Sequence, residues 1–395
     1  MNDNNEKISF EEDLVETFTE ENQDDVTTPE FAPIADVIKN TADSSNEEQE
    51  NFDYTNKEVL FSIKDLHVKF SLRGQLLHAI RGVNLDIYKG ESLAIAGESG
   101  SGKSVLMKTL IGLLDKNGKI DSGSIMYLGN DLATYKTEKQ WSTIRGSHVA
   151  MVMQDPMTSL NPLKTVGWQV CEALRYNQNL RGPESKARAI EILADVGIPN
   201  PETRYNQYPH QFSGGMRQRV VIAIAMACNP QLLICDEPTT ALDVTIQAQI
   251  LNLLRDLQRK YNLTMVYITH DLGVVANVAD RIAIMYAGDI AEIGKCDEVF
   301  FNPQHPYTWA LLSSLPQLGK RKTDLFSIKG TPPNLFKPIR GDGFAARNPL
   351  PLAIDFLHRP PYFSVSPTHK ARTWLLDPRA PALDPPEQIQ EIKDL

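Results

Sequence analysis

A glycine-rich loop that ends in lysine and serine is the first chemical feature of this 395-residue chain. Residues 97–104 have the sequence GESGSGKS, follow a strand-like run and precede a helical pattern that opens at Ser104. Glycines let the backbone aim successive N–H groups inward, and the positive end of the following helix strengthens the attraction for an anion. Lys103 adds a cation for phosphate oxygens, and the Ser104 hydroxyl is a hard ligand for Mg²⁺. We therefore predict a phosphate site formed by Gly97, Ser99, Gly100, Ser101, Gly102, Lys103 and Ser104.

Two carboxylates follow an apolar run further along the chain. The run 232–235 is strand-like, and Asp236 and Glu237 come directly after it. Because the carboxyl ends of parallel strands meet at one edge of a sheet, both carboxylates are expected beside the loop 97–104. Alternate residues of a strand point to opposite sides, which suits two roles. We assign Asp236 to the Mg²⁺ shell and Glu237 to polarising an attacking water.

A second turn of small residues lies between these two elements. Residues 212–219 (FSGGMRQR) place Ser213, Gly214 and Gly215 at the start of a helix, which is another environment for anions. With this turn the chain resembles the ATP-binding cassettes of the ABC type, whose signature LSGGQ differs here at its first and fifth positions. In that family one subunit's signature covers the γ-phosphate held by the other subunit. The resemblance thus implies a head-to-tail dimer in which these three residues act in trans.

Other elements of the family match single residues of this chain. Gln154 resembles the Q-loop glutamine, which implies both a catalytic role and a place among the Mg²⁺ ligands. Residues 240–243 (TALD) resemble the D-loop and assign Asp243 to the nucleotide interface. His270 resembles the switch histidine that contacts the γ-phosphate. Phe70 is the best candidate for the aromatic ring that stacks on adenine, and the alternative is that Phe70 is a core residue.

The resemblance implies an ATPase that uses Mg²⁺. Glu237 would orient the water in line, and His270 would couple hydrolysis to dimer closure. The catalytic effect would come from positioning and charge neutralisation rather than covalent chemistry. The residues implied to clamp ATP and Mg²⁺ are Lys103, Ser104, Gln154 and Asp236.

Three further stretches narrow the resemblance to one branch of the family. Residues 154–162 (QDPMTSLNP), 302–308 (NPQHPYT) and 328–335 (IKGTPPNL) are similar to the ATPase subunits of peptide and nickel importers, most of all the D-type subunits of oligopeptide permeases. The implied partners are a second ABC ATPase subunit in a heterodimer, two integral membrane permease subunits and an extracellular peptide-binding protein. The implied location is peripheral, on the cytoplasmic face of the cell membrane. Two alternatives stay open, an importer of nickel or another small solute and a soluble ABC ATPase outside transport.

Residues 341–348 (GDGFAARN) depart from the G-C-P-F-x-x-R-C pattern with which some relatives in this branch bind an iron–sulfur cluster. Asp342 and Asn348 stand at the cysteine positions, and Thr373 stands where a further cysteine is common. Cluster ligation needs four thiolates, and no cysteine follows Cys296. We predict that the protein binds no iron–sulfur cluster.

Strand-like and helical runs alternate through the middle of the chain, which favours an α/β domain with a mainly parallel sheet. The resemblance adds an expected RecA-like P-loop NTPase core and an antiparallel β part. The predicted strands are 59–63, 66–70, 83–87, 92–96, 148–154, 232–235, 264–269 and 281–293, the last broken at 287–289. The strongest helical patterns are 103–114, 186–196, 216–227 and 245–261.

Composition divides the chain into segments. Residues 1–57 carry 17 acidic residues and three lysines, a net charge of −14, and are predicted to be a disordered acidic tail. An ABC cassette is expected at 58–300, with a helical insertion subdomain at about 155–230 where prolines interrupt helical patterns. Prolines crowd the chain beyond residue 300, which predicts a small loop-rich C-terminal module at 301–395.

Charge and hydropathy exclude several classes of protein. The formal net charge of −10 argues against a nucleic-acid binder, which normally has a basic domain. The longest apolar run, 220–228, has nine residues, whereas a membrane-spanning helix needs about 20. The chain is therefore expected not to cross a membrane. The four cysteines include no CxxC pair, which favours reduced thiols.

Overall fold

The computed structural model describes residues 54, 57–240, 242–315, 328–386 and 389–390. The predicted acidic tail lies outside the described residues except for Tyr54 and Lys57, and Ala241 of the TALD motif also lies outside them. The predicted bounds of the tail, the cassette and the C-terminal module stay predictions.

The strands of the described residues form two sheets. One has four strands in the order β2-β1-β4-β5, and the other has eight in the order β11-β12-β10-β9-β3-β8-β7-β6. The strands are β1 Val59–Leu72, β2 Gln75–Tyr88, β3 Ser92–Ala96, β4 Gly118–Tyr127, β5 Asn130–Asp131, β6 Val149–Val152, β7 Leu232–Asp236, β8 Thr264–Thr269, β9 Arg281–Tyr286, β10 Asp289–Lys295, β11 Phe363–Ser364 and β12 Lys370–Ala371.

The α-helices of the described residues alternate with these strands or form two groups, one between β6 and β7 and one between β10 and β11. They are α1 Lys103–Leu110, α2 Glu138–Trp141, α3 Pro156–Ser159, α4 Val166–Gln178, α5 Gly182–Asp195, α6 Pro201–Arg204, α7 Gly214–Met226, α8 Val244–Tyr261, α9 Leu272–Val278, α10 Cys296–Phe301, α11 Pro306–Ser313 and α12 Ala353–Leu357. Helix α1 begins at the predicted residue, Lys103, and ends four residues earlier than the predicted pattern 103–114.

The larger sheet has a parallel centre, as the alternation of strands and helices predicts. Strand β3 pairs in parallel with β8 and β9, and β7 pairs in parallel with β8 and β6. Both faces are covered, because Leu233 and Cys235 of β7 enter one hydrophobic cluster while Leu232 and Ile234 enter another. Burial on both faces explains why these strands are apolar without alternation. The carboxyl ends of β3, β7 and β8 consequently lie along one edge.

The smaller sheet is antiparallel, and its first strand differs from the prediction. The predicted runs 59–63 and 66–70 are one strand, β1, whose register shifts between Ile63 and Leu66. Asp65 lies at this irregularity with a φ of 44°. Strand β4 pairs with β1 and was not predicted, because the first half of its sequence, GKIDSGSIMY, is polar and glycine-containing.

The stretch between β6 and β7 is helical, as predicted. In the described part of the chain no strand lies between these two. Val170 of α4, Leu193 of α5 and Val220 of α7 are fully buried in the same cluster. Helices α4 and α5 therefore pack with α7 and support its N-terminal turn.

The proline-rich stretch NPQHPYT predicts a turn followed by an amphipathic helix, but helix α11 begins inside this stretch, at Pro306, and is not amphipathic. Seven of its eight residues are buried, so that it has no exposed polar face. The physical reason is that strand residues and other residues of the C-terminal segment (residues 301–395) surround it. Tyr307 and Trp309 lie in one cluster with Tyr286 of β9 and Phe344.

The rest of the C-terminal segment is loop-rich, and its described residues include helix α12, the two-residue strands β11 and β12 and a 3-10 helix at Trp374–Leu376. Cys171, Cys228, Cys235 and Cys296 are free thiols. Among the described residues, no helix combines the length and the apolar character that crossing a membrane requires.

Candidate functional site

The loop 97–104 joins the end of β3 to the start of α1, and its glycines are required by its geometry. Gly97 has a φ of 147°, and a Cβ there would lie 2.1 Å from the backbone oxygen of Met285. Gly100 and Gly102 also have positive φ values, 79° and 104°. Only glycine adopts these conformations without strain, so the loop is built to bring backbone close to a ligand.

Lys103 provides the cation of this loop. Its Nζ donates hydrogen bonds to the carbonyl oxygens of Gly97 at 2.7 Å and Glu98 at 2.9 Å. Burial lowers the pKa of Lys103, and the carboxylates of Glu237, Asp236 and Glu98 oppose that shift. The ammonium group is thus held inside the loop within the field of the two carboxylates predicted from the strand end.

Ser104 and Asp236 lie together, as predicted. The Ser104 hydroxyl donates a hydrogen bond of 3.0 Å to Asp236 Oδ1, and Asp236 is the buried last residue of β7. Burial raises the pKa of Asp236, while the hydrogen bond from Ser104 lowers it. A hydroxyl and a carboxylate oxygen in contact at the edge of a phosphate loop fit the hard-oxygen preference of Mg²⁺. No group of three or more His, Cys, Asp or Glu side chains suited to a metal occurs in the described ranges.

Glu237 is the centre of a second cluster. Its Oε2 accepts hydrogen bonds from Gln154 Nε2 and Thr240 Oγ1, each 2.9 Å away, and its Oε1 lies 3.1 Å from His270 Nδ1. Burial raises the pKa of Glu237, but the hydrogen bonds from His270 and Thr240 outweigh it, so the pKa lies below its ordinary value. The hydrogen bonds therefore favour the ionised form of Glu237, and its charge acts on Lys103 of the phosphate loop.

Strand alternation does not set the direction of the Glu237 side chain relative to Asp236, contrary to the prediction. Strand β7 ends at Asp236, and Glu237 lies beyond it in the left-handed conformation with a φ of 47°. A residue outside the strand does not follow the alternation, and the left-handed turn sets the direction of its side chain. Such a strained backbone at a non-glycine residue is typical of functional positions.

The signature residues lie on a different element from the phosphate loop. Ser213 accepts a hydrogen bond from the Met216 N–H at 3.4 Å and so caps helix α7. A Cβ at Gly215 would lie 2.6 Å from Ile246 Cγ2, which shows how closely α7 approaches α8. Asp243 caps α8 by accepting the Ile246 N–H at 2.9 Å. No contact described for these residues joins them to the loop 97–104.

Phe70 has the surroundings of a core residue. Its exposed fraction is 9 %, and it belongs to the hydrophobic cluster between the two sheets. A Cβ at Gly118 would lie 2.5 Å from Phe70 Cε1, so that the ring packs directly over that glycine. These contacts favour the core alternative over stacking on adenine.

Three residues that contact the site were not identified from the sequence. Thr240 holds Glu237, and Arg347 and Tyr307 both contact Glu98 of the phosphate loop. Arg347 and Tyr307 belong to the motifs GDGFAARN and NPQHPYT, whose side chains had no assigned partner. The motifs were visible in the sequence, but their contact with the loop was not.

The positions at which relatives place cysteines hold side chains engaged in local turns. Asp342 Oδ1 accepts the Phe344 N–H and Asn348 Oδ1 accepts the Leu350 N–H, both at 3.0 Å. Thr373 Oγ1 accepts a backbone N–H at 3.3 Å. An iron–sulfur cluster needs thiolate ligands, so the oxygen atoms at these positions are not suitable ligands for one.

Sequence comparison finds two families in this chain. The family described as ABC transporter matches residues 80–240, and the family described as oligopeptide/dipeptide transporter, C-terminal region, matches residues 291–353. The chain is 54 % identical over 338 residues to the oligopeptide transport ATP-binding protein AmiE of Streptococcus pneumoniae, which covers 86 % of this chain and 95 % of AmiE. It is 53 % identical over 333 residues to the oligopeptide transport ATP-binding protein OppD of Bacillus subtilis, with 84 % of this chain and 93 % of OppD covered.

Solved structures share the fold. One is an ATP-binding cassette in a dimeric post-hydrolysis state bound to ADP and Pi, with 30 % identity and a TM-score of 0.54 over 60 % of this chain and 98 % of that chain. Another is cbiO1 of Clostridium perfringens, part of the ABC transporter complex cbiONQ, with 29 % identity and a TM-score of 0.55 over 62 % of this chain and 92 % of that chain. The predicted P-loop NTPase fold is confirmed by these similarities.

Proposed function

The chain belongs to the ATP-binding subunits of ABC transporters, and from this membership we propose that it hydrolyses ATP to power the import of oligopeptides through a separate membrane permease. The substrate class comes from relatives named as oligopeptide or dipeptide transport ATP-binding proteins. The observation that carries the hydrolytic activity is the ionised Glu237, held by three side chains within the electrostatic reach of Lys103. The names of these relatives do not favour the nickel or the non-transport alternative.

Nucleotide binding is the task of the loop 97–104. Lys103 moves from the loop carbonyls that now accept its hydrogen bonds to the phosphate oxygens, and the inward-facing backbone N–H groups bind the same phosphates. Ser104 and Asp236 would hold Mg²⁺, which supplies charge neutralisation on the phosphates when bound. Gln154 remains a proposed further ligand, although its amide contacts Glu237 in this structure.

Hydrolysis is the task of Glu237 and its partners. Because its pKa lies below the ordinary value, Glu237 is a carboxylate at neutral pH and accepts a hydrogen bond from water, which it aims at the γ-phosphate. Gln154 and Thr240 fix one carboxylate oxygen and His270 the other, so the direction of the carboxylate is determined before substrate arrives. A displacement of His270 would turn the base away and stop turnover.

A second subunit completes the site. Ser213, Gly214 and Gly215 lie at the N-terminus of α7, away from the contacts of the phosphate loop, and solved cassettes similar to this chain are dimers. We infer a head-to-tail heterodimer with a second ABC ATPase subunit, in which these three residues face the nucleotide of the partner. Asp243, which caps α8 next to them, would lie at the same interface.

The remaining partners follow from the importer function. The free energy of ATP hydrolysis has to be transmitted to a membrane channel. No helix in the described residues can span a membrane. We propose that two integral membrane permease subunits provide the channel and that an extracellular protein delivers the peptide. The ATPase would bind peripherally at the cytoplasmic face of the cell membrane.

The test is peptide uptake by cells that lack the gene for this chain. Cells complemented with the wild-type gene should take up a radiolabelled oligopeptide, whereas cells with Lys103→Ala or Glu237→Gln should not. Uptake of nickel is measured in parallel. Loss of nickel uptake with unchanged peptide uptake would favour the other importer class, and loss of neither would contradict a role in transport.

A matched control separates the site from general effects of substitution. Glu202 is an exposed glutamate in helix α6, and Glu202→Gln makes the same chemical change as Glu237→Gln. Cells with Glu202→Gln should take up peptide at the wild-type rate. Similar losses in both variants would indicate that glutamine substitution damages expression rather than catalysis.

A further inference from the structure

The side chain of Arg347 in the C-terminal segment binds the phosphate loop. Arg347 Nη1 donates to Glu98 Oε2 at 2.7 Å, and Arg347 Nη2 donates to Glu98 Oε1 at 3.0 Å. Two parallel hydrogen bonds between a guanidinium and a carboxylate form the strongest geometry for this pair. Glu98 is the second residue of the loop 97–104, so the pair connects GESGSGKS directly to the GDGFAARN motif.

Arg347 is itself firmly held. Its side chain is 6 % exposed, its Nε donates to the Lys329 carbonyl at 3.1 Å, and its Nη1 also donates to the Tyr286 hydroxyl at 3.1 Å. The hydrogen bond with Glu98 raises the pKa of Arg347 above its ordinary value. The guanidinium is thus a fixed positive charge whose position depends on the C-terminal segment being docked.

A second contact fixes the backbone of the same loop residue. The Glu98 N–H donates to the Tyr307 hydroxyl at 2.7 Å. The buried Tyr307 ring packs in a tilted orientation against Tyr286, with centroids 4.5 Å apart, and against Phe344, with centroids 5.3 Å apart. Both the side chain and the main chain of Glu98 are therefore held by residues far from the loop in sequence.

Glu98 is hydrogen-bonded directly to Lys103, the cation of the site. Its carbonyl oxygen accepts the Lys103 ammonium at 2.9 Å, and its carboxylate is among the charges that act on the pKa of Lys103. A free carboxylate in a loop that receives phosphates repels them and competes for Lys103. Arg347 cancels that charge and at the same time fixes the residue that carries it.

We propose that Arg347 is a positioning residue of the nucleotide site, which neutralises Glu98 and keeps the phosphate loop in its anion-binding conformation. This inference rests on the proposed function, because it assumes that residues 97–104 bind the phosphates of ATP. It gives the C-terminal segment control over nucleotide affinity. Undocking of residues 328–348 would expose the Glu98 charge and weaken binding of ATP at a distance from the transported solute.

The experiment measures the Kd for Mg-ATP of the purified full chain by calorimetry. Arg347→Gln should raise the Kd about tenfold, equivalent to ~1.4 kcal/mol, because it leaves an unpaired carboxylate in the loop. Glu98→Gln should raise the Kd about threefold or less. The double variant Glu98→Gln/Arg347→Gln should return to the value of Glu98→Gln, since the repelling charge is gone. A merely structural role of Arg347 does not give this rescue.

Arg359 supplies a matched control. It also ties the C-terminal segment to the rest of the chain, through Asp289 of β10 at 2.7 Å, but it makes no described contact with the phosphate loop. Arg359→Gln should keep the wild-type Kd even if it lowers the melting temperature. If Arg347→Gln does not fold, Arg347→Lys replaces it, and its Kd should rise about threefold because an ammonium group keeps the charge but not the two-point pairing.

Three results would overturn the inference. They are a wild-type Kd in the foldable Arg347 variant, an equal loss of affinity in Arg359→Gln, and a double variant as weak as Arg347→Gln. Failure of the wild-type chain to bind Mg-ATP would instead overturn the proposed function, and the inference with it. The behaviour of the wild type thus distinguishes the two failures.

Discussion

Replacing Glu237 by glutamine removes one negative charge and leaves the size of the side chain nearly unchanged. The carboxylate accepts hydrogen bonds from Gln154 and Thr240 on one oxygen and lies 3.1 Å from His270 Nδ1 on the other. A glutamine can keep its oxygen toward Gln154 and Thr240 and turn its NH₂ toward His270, which accepts when its proton is on Nε2. We therefore expect the free energy of unfolding to change by no more than about 1 kcal/mol.

The catalytic loss should be much larger than the loss of stability. A positioned general base contributes on the order of 10²- to 10⁴-fold, so the turnover of Glu237→Gln should fall at least about 100-fold, or ~2.7 kcal/mol in activation free energy. Affinity for ATP should be unchanged or higher, because removing a carboxylate close to Lys103 relieves repulsion of the phosphates. The variant should consequently accumulate as an ATP-bound dimer.

Phosphate release by the assembled transporter and calorimetric binding of Mg-ATP together test this reasoning. Glu202→Gln is the control and should keep the wild-type turnover. A turnover of Glu237→Gln within threefold of the wild type would refute the assignment of the base. A loss of ATP affinity as large as the loss of turnover would place Glu237 in binding rather than in hydrolysis.

The pH dependence of the wild type gives an independent check on Glu237. Its hydrogen bonds to His270 and Thr240 hold its pKa below the ordinary glutamate value, despite burial. A depressed pKa keeps the carboxylate charged everywhere above the unfolded-state pKa, and the charge is lost only as the pH falls through the folded-state pKa. We expect no loss of turnover from Glu237 between about pH 8 and pH 5. An acid limb inside that window that disappears in Glu237→Gln would contradict the pKa assignment.

Three further substitutions address the binding of nucleotide and the dimer. Lys103→Ala should weaken binding of Mg-ATP at least about tenfold, because it removes the buried cation of the loop, and calorimetry with the purified chain measures this. Gly97→Ala should abolish nucleotide binding, since the added Cβ would lie 2.1 Å from a backbone carbonyl oxygen of β9; wild-type affinity in this variant would show that the loop is not the binding site. Ser213→Arg should leave the Kd of the isolated subunit unchanged but stop ATP turnover of the assembled dimer, and loss of binding by the isolated subunit would argue against a role in trans.

Much of the site was predictable because its signals are local. The spacing of residues 97–104, the strand before them and the helix after them are set by neighbouring residues, and β3 and β8 have the predicted bounds. Parallel pairing then places Asp236 beside Ser104, as the rule on carboxyl ends of strands predicts. Short, apolar, β-branched runs between helices are sufficient for this level of structure.

The errors lie where a residue's surroundings come from distant parts of the chain. Helix α11 has a sequence compatible with one exposed face, but segments from both sides bury it. Glu237 follows the strand in a left-handed turn, which the sequence LLICDE does not predict. Phe70 is aromatic at a plausible position for stacking on adenine, and its packing against Gly118 is visible only in the tertiary structure.

The amino-acid sequence alone predicted the chemical groups of the site, namely the phosphate loop 97–104 and the carboxylates of Asp236 and Glu237 after an apolar strand, because each is encoded by residue types at short, fixed spacing. The tertiary structure decided how these groups are held. The bond from Arg347 to Glu98 spans 249 positions, and the contacts of Glu237 with Gln154 and His270 span 83 and 33 positions. Interactions over such sequence separations depend on how helices and strands pack, so they cannot be predicted from local patterns of residues.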